Sequence, residues 1–323
     1  HGLGGGTPAV VVCSGGATAA HSQAAVIKAD QFSVPLIVTT ADLPPGRGAI
    51  GAPHGVGHED LYRPSVRFYA EPGAPDAAMG GSWRSLGSRL VLEATGWSGR
   101  PGPVHLNLSF RDPRPGTPGL LPPGRGNDRP WHRTPLKPPA VLADPPQFSG
   151  RRGVIIAGAG TESPNAVLSL ADALGWPVLA DHQSGCRAPG TIVHFDALLR
   201  TTAFTDALSP EVVLRFGRPL ASKTLSQWLA GLSAEFVSIV PNGRWLDPEG
   251  RADIIINDDK AVLSLLGAID SPPNRDADAW RWVDAMAADA IETTLENEDT
   301  LSEPAIAREL VGGVATGSAL VVT

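Results

Sequence analysis

Cysteine is almost missing from these 323 residues: only Cys13 and Cys186 occur. Two thiols cannot build a disulfide framework, which argues for a reducing, cytoplasmic setting. A basic excess is missing too. Lys and Arg total 26 against 33 Asp and Glu, a net charge of -7 with a pI near 5.6. A chain that neutralises nucleic-acid phosphates needs the opposite balance, so that class of partner is excluded. No apolar run reaches the ~18 residues that a membrane-spanning helix requires. The opening His-Gly-Leu-Gly-Gly-Gly has no charged segment ahead of an apolar one and is not a secretory leader. It also lacks an initiator Met, and the closing Ala-Leu-Val-Val-Thr reads as the middle of a strand. Both ends are therefore expected to be interior positions of a longer sequence.

What is present is enough for two domains. Gly 37 and Pro 31 together make about a fifth of the chain, short of the ~25–30% at which low complexity becomes the better description. Eleven of the prolines fall between residues 113 and 147. A Pro-rich stretch of that length lacks donors for a regular hydrogen-bond ladder and runs extended. It is read as an interdomain linker, with one domain over 1–112 and a second over 148–296. Residues 297–323 are read as the start of a third.

Strand and helix patterns alternate on both sides of the linker. Before it, Ala9–Cys13 is a continuous apolar strand, and Pro35–Thr39 and Pro103–Leu108 are the next two strands, with helices expected over Ala19–Ala29 and Ser82–Thr95. After it, strands are expected at Val154–Ala157, Pro177–Ala180, Val212–Arg215, Phe236–Val240 and Asp253–Ile256. Helices are expected at Pro164–Leu174, Lys223–Leu232, Lys260–Ile269, Ala277–Leu295 and Leu301–Val311, and Leu320–Val322 begins another strand. The fold class is α/β, as two Rossmann-like units with parallel sheets. The first unit is expected to be short of its opening strand or strands.

Several motifs carry possible chemistry. Gly158-Ala-Gly160 joins a strand to a helix but lacks the third glycine of a dinucleotide fingerprint, so it is read as a tight turn. Ser14-Gly15-Gly16-Ala17 also follows a strand, and its small side chains suit a close approach of a ligand. His54 and His58 have the i, i+4 spacing of a metal pair, but Gly55 and Gly57 disfavour the helix such a pair needs. Both are read as part of a solvated loop, and no metal is expected there. Ser222 is placed as the N-cap of a helix whose first turn carries Lys223.

The long Pro/Gly-rich loop after the second strand gives the most specific signal. Thr40-Ala41-Asp42-Leu43-Pro44-Pro45 and Gly51-Ala52-Pro53-His54 resemble Thr-Ala-Asp-Arg-Pro-Pro and Gly-Ala-Asn-Gln of the MenD family. Those are the 2-succinyl-5-enolpyruvyl-6-hydroxy-3-cyclohexene-1-carboxylate synthases, thiamine-diphosphate-dependent enzymes of menaquinone biosynthesis. Arg100-Pro-Gly-Pro-Val-His-Leu-Asn-Leu, Arg152-Gly-Val-Ile-Ile-Ala-Gly, Ser184-Gly-Cys-Arg187, Arg215-Phe-Gly and Leu301-Ser-Glu-Pro-Ala-Ile-Ala-Arg are similar to family segments in the same order. The resemblance covers nearly the whole chain.

The resemblance implies a pyrimidine-binding-type first domain, a Rossmann-like central domain and the start of a diphosphate-binding-type domain. It implies cofactor contact from Ser14, Gly15, Gly16 and Ala17, and substrate contact from Lys223 and His54. The substrates would be acidic small molecules, 2-oxoglutarate and isochorismate, and the assembly a homodimer or homotetramer. The departures are Leu43 for the Arg, Pro53-His54 for the Asn-Gln, and Thr224 where a second basic residue is usual. The family's catalytic Glu would precede His1, and its Mg²⁺-binding Gly-Asp-Gly segment would follow Thr323. No Gly-Asp-Gly occurs in the chain. The 323 residues alone are thus expected to be inactive and to bind neither thiamine diphosphate nor Mg²⁺. Two alternatives stand beside this reading: an enzyme of the acetohydroxyacid synthase type, or a non-catalytic binding or regulatory relative.

Overall fold

A computed structural model describes residues 7–13, 17–42, 57–111, 119–121, 123–132, 142, 145–207, 209–240, 246–258, 261–270, 272–274, 276–315 and 317–318. The chain divides into two compact units, residues 1–138 with 242–244, and residues 139–241 with 245–323.

In the first unit, β1 (Ala9–Cys13), β2 (Leu36–Asp42), β3 (Tyr69–Ala70) and β4 (Pro103–Ser109) form a parallel sheet in the order β1-β2-β4-β3. The helices are α1 (Ala17–His21), α2 (Gln23–Phe32) and α3 (Gly80–Ala94). Because side chains alternate across a strand, β2 sends Ile37 to one face and Val38 to the other. Ile37 and Val104 pack with Leu90 and Ala94 of α3, whereas Val38 packs with Val26 of α2 and Tyr62. The central strands are covered on both faces, whereas the edge strand β1 leaves Val10 and Val12 61% and 77% exposed.

The second unit has five parallel strands: β5 (Gly153–Ala157), β6 (Val178–Ala180), β7 (Val212–Phe216), β8 (Glu235–Ile239) and β9 (Ile254–Ile256). Their order is β6-β5-β7-β8-β9, a doubly wound arrangement whose strand order reverses between β5 and β7. Ile155, Leu214, Phe216, Val237 and Ile239 face α4 (Pro164–Leu174) and α8 (Val262–Gly267). Val154, Ile156, Val213 and Phe236 face the other way. They meet α5 (Phe195–Leu198), α7 (Lys223–Gly231) and Trp280 of α9 (Asp276–Glu296). The remaining helices are α6 (Thr202–Ala207) and α10 (Glu303–Gly313). No helix among the described residues is long and apolar enough to cross a membrane.

The expected strands appear within a few residues of their sequence positions. The first expected helix divides at Ser22, where Ser22 N bonds to Ala19 O at 3.1 Å in a tightened turn. β3, α5 and α6 were not expected. Each is six residues or fewer, too short for a period to register. Lys260 and the strand expected at Leu320–Val322 lie outside the described residues.

Candidate functional site

Ligands of open parallel sheets gather at the carboxyl ends of the strands, where loops diverge and backbone groups are free. In the first unit that end carries polar side chains inside an otherwise apolar layer. Thr40, His105, Asn107 and Ser109 are all buried, from 0% to 1% exposed. An unpartnered polar group there would cost a few kcal/mol, and the structure answers each one. Thr40 Oγ1 donates to Asn107 Oδ1 at 2.8 Å and lies 2.7 Å from His105 Nε2. Asn107 Nδ2 and Ser109 Oγ donate to Glu71 Oε1 at 3.2 and 3.3 Å, and Tyr69 OH donates to Glu71 Oε2 at 2.7 Å. Glu71, just past the edge strand β3, thus collects three donors on one carboxylate.

The His105 ring is held between two tyrosines, with centroids 4.7 Å from Tyr62 and 5.1 Å from Tyr69. Burial, with the neighbouring His58 as a second cause, pushes its pKa down from 6.5 to about 4. It is neutral at physiological pH. Burial and the bond to Glu71 raise the Tyr69 phenol well above its usual range. Burial likewise raises Tyr62, whose hydroxyl donates to Ala19 O at 2.6 Å.

His58 corrects the sequence reading. It was expected in a solvated loop, yet it is 1% exposed, and its Nδ1 stands 3.5 Å from Asp42 Oδ2. Asp42 ends β2, so this contact joins the strand end to the chain where it returns at His58. Spacing to His54 gave no hint of it, because the partner is a tertiary neighbour. Among the described residues no three His, Cys, Asp or Glu side chains gather into a metal-binding group.

In the second unit the reversal point is closed by backbone bonds. Gly158 N donates to Phe216 O and Arg218 N to Ala159 O, each at 2.9 Å. A Cβ on Gly158 would lie 1.7 Å from Arg218 O, so a glycine is required by the approach of the two loops. Gly158-Ala-Gly160 is a tight turn against the next crossover. Behind it, Arg215 is a buried cation on β7, 6% exposed. Glu249 Oε2 at 2.8 Å, Leu246 O at 2.6 Å and Ser238 Oγ at 3.2 Å accept from its guanidinium, and Asp247 Oδ1 lies 3.6 Å away. In the sequence Arg215 ends an expected strand and opens a family-like segment, and the signal of its burial is a charge amid an apolar run.

Ser222 is the N-cap of α7, its Oγ accepting from Leu225 N at 3.0 Å while donating to Asp196 Oδ1 at 2.6 Å. That bond and the Arg200 guanidinium hold Asp196 below the usual carboxylate range. Lys223 is the first residue of the helix and is exposed. Of the other expected site residues, Ala17 opens α1 and is exposed. Ser14, Gly15, Gly16, Leu43, Pro53 and His54 lie outside the described residues.

Comparisons with known proteins bear on the whole length. Residues 125–321 match the family described as the middle domain of thiamine pyrophosphate enzymes. The 2-succinyl-5-enolpyruvyl-6-hydroxy-3-cyclohexene-1-carboxylate synthase of Thermobifida fusca (strain YX) is 35% identical over 97% of this chain and 56% of its own length. The synthase of the same name from Myxococcus xanthus (strain DK1622) is 34% identical over 98% of this chain and 58% of its own. That of Halobacterium salinarum (strain ATCC 29341 / DSM 671 / R1) is 35% identical over 87% and 52%. The chain spans somewhat over half the length of the curated relatives it matches.

Proposed function

Because this chain belongs to the thiamine pyrophosphate enzymes that carry this middle domain, we propose that the protein acts as a 2-succinyl-5-enolpyruvyl-6-hydroxy-3-cyclohexene-1-carboxylate synthase. It removes CO₂ from 2-oxoglutarate and adds the remainder to isochorismate. The observation that carries this reading is similarity along 97–98% of the chain, at 34–35% identity, to synthases of that name. When bound, thiamine diphosphate supplies the carbon nucleophile and electron sink for such a decarboxylation and ligation.

Thr40, His105, Asn107 and Ser109, buried at the carboxyl end of the first unit's sheet, are bonded to one another and to Glu71, an uncharged support beneath the strand ends rather than free groups for a ligand. We place the neighbourhood of the cofactor's aminopyrimidine ring at that end of the sheet, with Ser14, Gly15, Gly16 and Ala17 on the turn after β1. The diphosphate half calls for Mg²⁺ and hard oxygen ligands. Lys223, on the first turn of α7, is the cation we assign to a substrate carboxylate, as a point charge. His54 is proposed separately as a substrate contact. The domain limits at 112, 148 and 296, the homodimeric or homotetrameric assembly and the cytoplasmic setting belong to the same proposal. Two free, buried cysteines are compatible with that setting.

Substrate choice tests the proposal. With thiamine diphosphate and Mg²⁺ supplied, the full-length gene product should release CO₂ from 2-oxoglutarate and consume isochorismate. Turnover of pyruvate instead would return the acetohydroxyacid synthase reading, and no turnover the non-catalytic one. Calorimetric titration of the 323 residues alone with thiamine diphosphate and Mg²⁺ should give negligible heat, and tight binding would show that these residues themselves hold the metal and cofactor.

A further inference from the structure

An apolar cavity of about 310 Å³ opens at the carboxyl end of β4, on the face that carries α3. Its volume lies at the lower end of the ~300–1,000 Å³ typical of small-molecule sites. The walls include Trp83 and Leu86 of α3, Leu106 and Leu108 of β4, and Phe110 just beyond that strand. Leu106 and Leu108 point away from His105, Asn107 and Ser109, because neighbours on a strand face opposite sides. The cavity is therefore separate from the polar cluster on the other face.

Two observations say what it would hold. Among the described residues the charged side chain on the wall is Asp76, and no Lys or Arg lines the cavity. The Asp76 carboxylate already accepts from Ala78 N at 2.9 Å. Against these walls an anion would meet a negative charge and no cation, which disfavours carboxylates and phosphates. Trp83 and Phe110 are each 37% exposed, large aromatic side chains left open beside the cavity, which suit a flat aromatic guest. Gly87, in the middle of α3, lines the cavity and is exposed, and a Cβ built there would meet nothing within 4 Å, so a larger side chain at this position can extend into the cavity without a clash.

We propose that this cavity binds a neutral aromatic molecule of two to three rings. The inference goes beyond the synthase reading and does not depend on it. The test is a fluorescence titration of the intact 323-residue chain with N-phenyl-1-naphthylamine, a neutral probe of one naphthalene and one phenyl group. A saturable single site is expected. Gly87→Leu should weaken binding at least about tenfold, the equivalent of ~1.4 kcal/mol, while thermal unfolding stays level or rises, since leucine is the better helix former. Ala74→Leu, in the loop on another wall, should act in the same direction and serves if the first variant does not fold. The anionic 8-anilino-1-naphthalenesulfonate should bind at least about tenfold more weakly than the neutral probe. Absence of saturable binding, equal affinity in the folded filled variants, or equal binding of the anion would overturn the proposal. So would sedimentation showing that Gly87→Leu disrupts a dimer of the chain, which would assign the cavity to a second copy.

Discussion

Thr40 and Asn107 are register partners on neighbouring strands, and Thr40 Oγ1 gives its one proton to Asn107 Oδ1 at 2.8 Å. The 2.7 Å contact from Thr40 Oγ1 to His105 Nε2 must then be donated by the imidazole. This fixes His105 as the Nε2–H tautomer. A directed series runs from His105 through Thr40 and Asn107 to the Glu71 carboxylate, and its members were ordered by sheet register.

That arrangement makes stability sensitive to acid. Unfolded His105 takes up its proton near 6.5 and the folded residue only near about 4. Between those values the unfolded state binds more protons, so stability falls as pH drops from 6.5 towards 4 and levels off below. The expected slope approaches ~1.4 kcal/mol per pH unit for one proton. Urea unfolding of the wild type and His105→Gln across this window should show the slope reduced in the variant. Nitrogen-15 NMR should report a neutral Nε2–H ring at pH 7.

Thr40→Val removes a hydroxyl and leaves a buried imidazole N–H and a buried amide oxygen without their partner. A loss of about 2–3 kcal/mol is expected, with Thr40→Ser close to wild type. Chemical denaturation distinguishes the two. A larger loss in Thr40→Ser than in Thr40→Val would show that packing of the Thr40 methyl, rather than the hydrogen bonds, dominates.

Gly158→Ala and Gly160→Ala separate two reasons for glycine. At Gly158 the new Cβ would fall 1.7 Å from Arg218 O, forcing the two loops apart. At Gly160 it would meet nothing, and only the φ of +83° opposes it. Overpacking at the first should cost about 2–3 kcal/mol, and left-handed backbone strain at the second about 1–2 kcal/mol. Thermal melts of the two variants check the order.

Ser222→Ala deletes the α7 cap and the bond to Asp196. Loss of the cap should cost about 1 kcal/mol, read by thermal unfolding. The Asp196 carboxyl should titrate closer to its usual range, because the bond from Ser222 is the first cause of its depression. NMR titration of that carboxyl carbon measures the change.

Lys223→Ala, made in an active full-length protein, should raise KM for the acidic substrate more than it lowers kcat, since a remote carboxylate contact is largely uniform binding. A charge-assisted bond of about 1.5–3 kcal/mol corresponds to roughly 10- to 150-fold in kcat/KM. Unchanged kinetics would remove Lys223 from the substrate site.

The fold was legible where burial on both faces leaves a local signature. Val212–Phe216 and Gly153–Ala157 are buried throughout, and both appear in the sequence as runs without alternation. Ser222 was equally readable, since a cap is a contact between residues three apart. The polar cluster left a fainter trace: His105, Asn107 and Ser109 recur at every second position of β4, a stripe that reads as an exposed face.

Sequence alone determined the two α/β units, the strand positions, the capped start of α7 and the family. Each depends on composition, local period or order along the chain. Tertiary structure alone decided the strand orders β1-β2-β4-β3 and β6-β5-β7-β8-β9, the burial of His58 against Asp42, the neutral state of His105, and the carboxylates that answer Arg215. These depend on residues up to 67 positions apart, as with Thr40 and Asn107, meeting in a low-dielectric interior. There the cost of an unpartnered polar group selects its neighbour, and no local pattern encodes which neighbour that is.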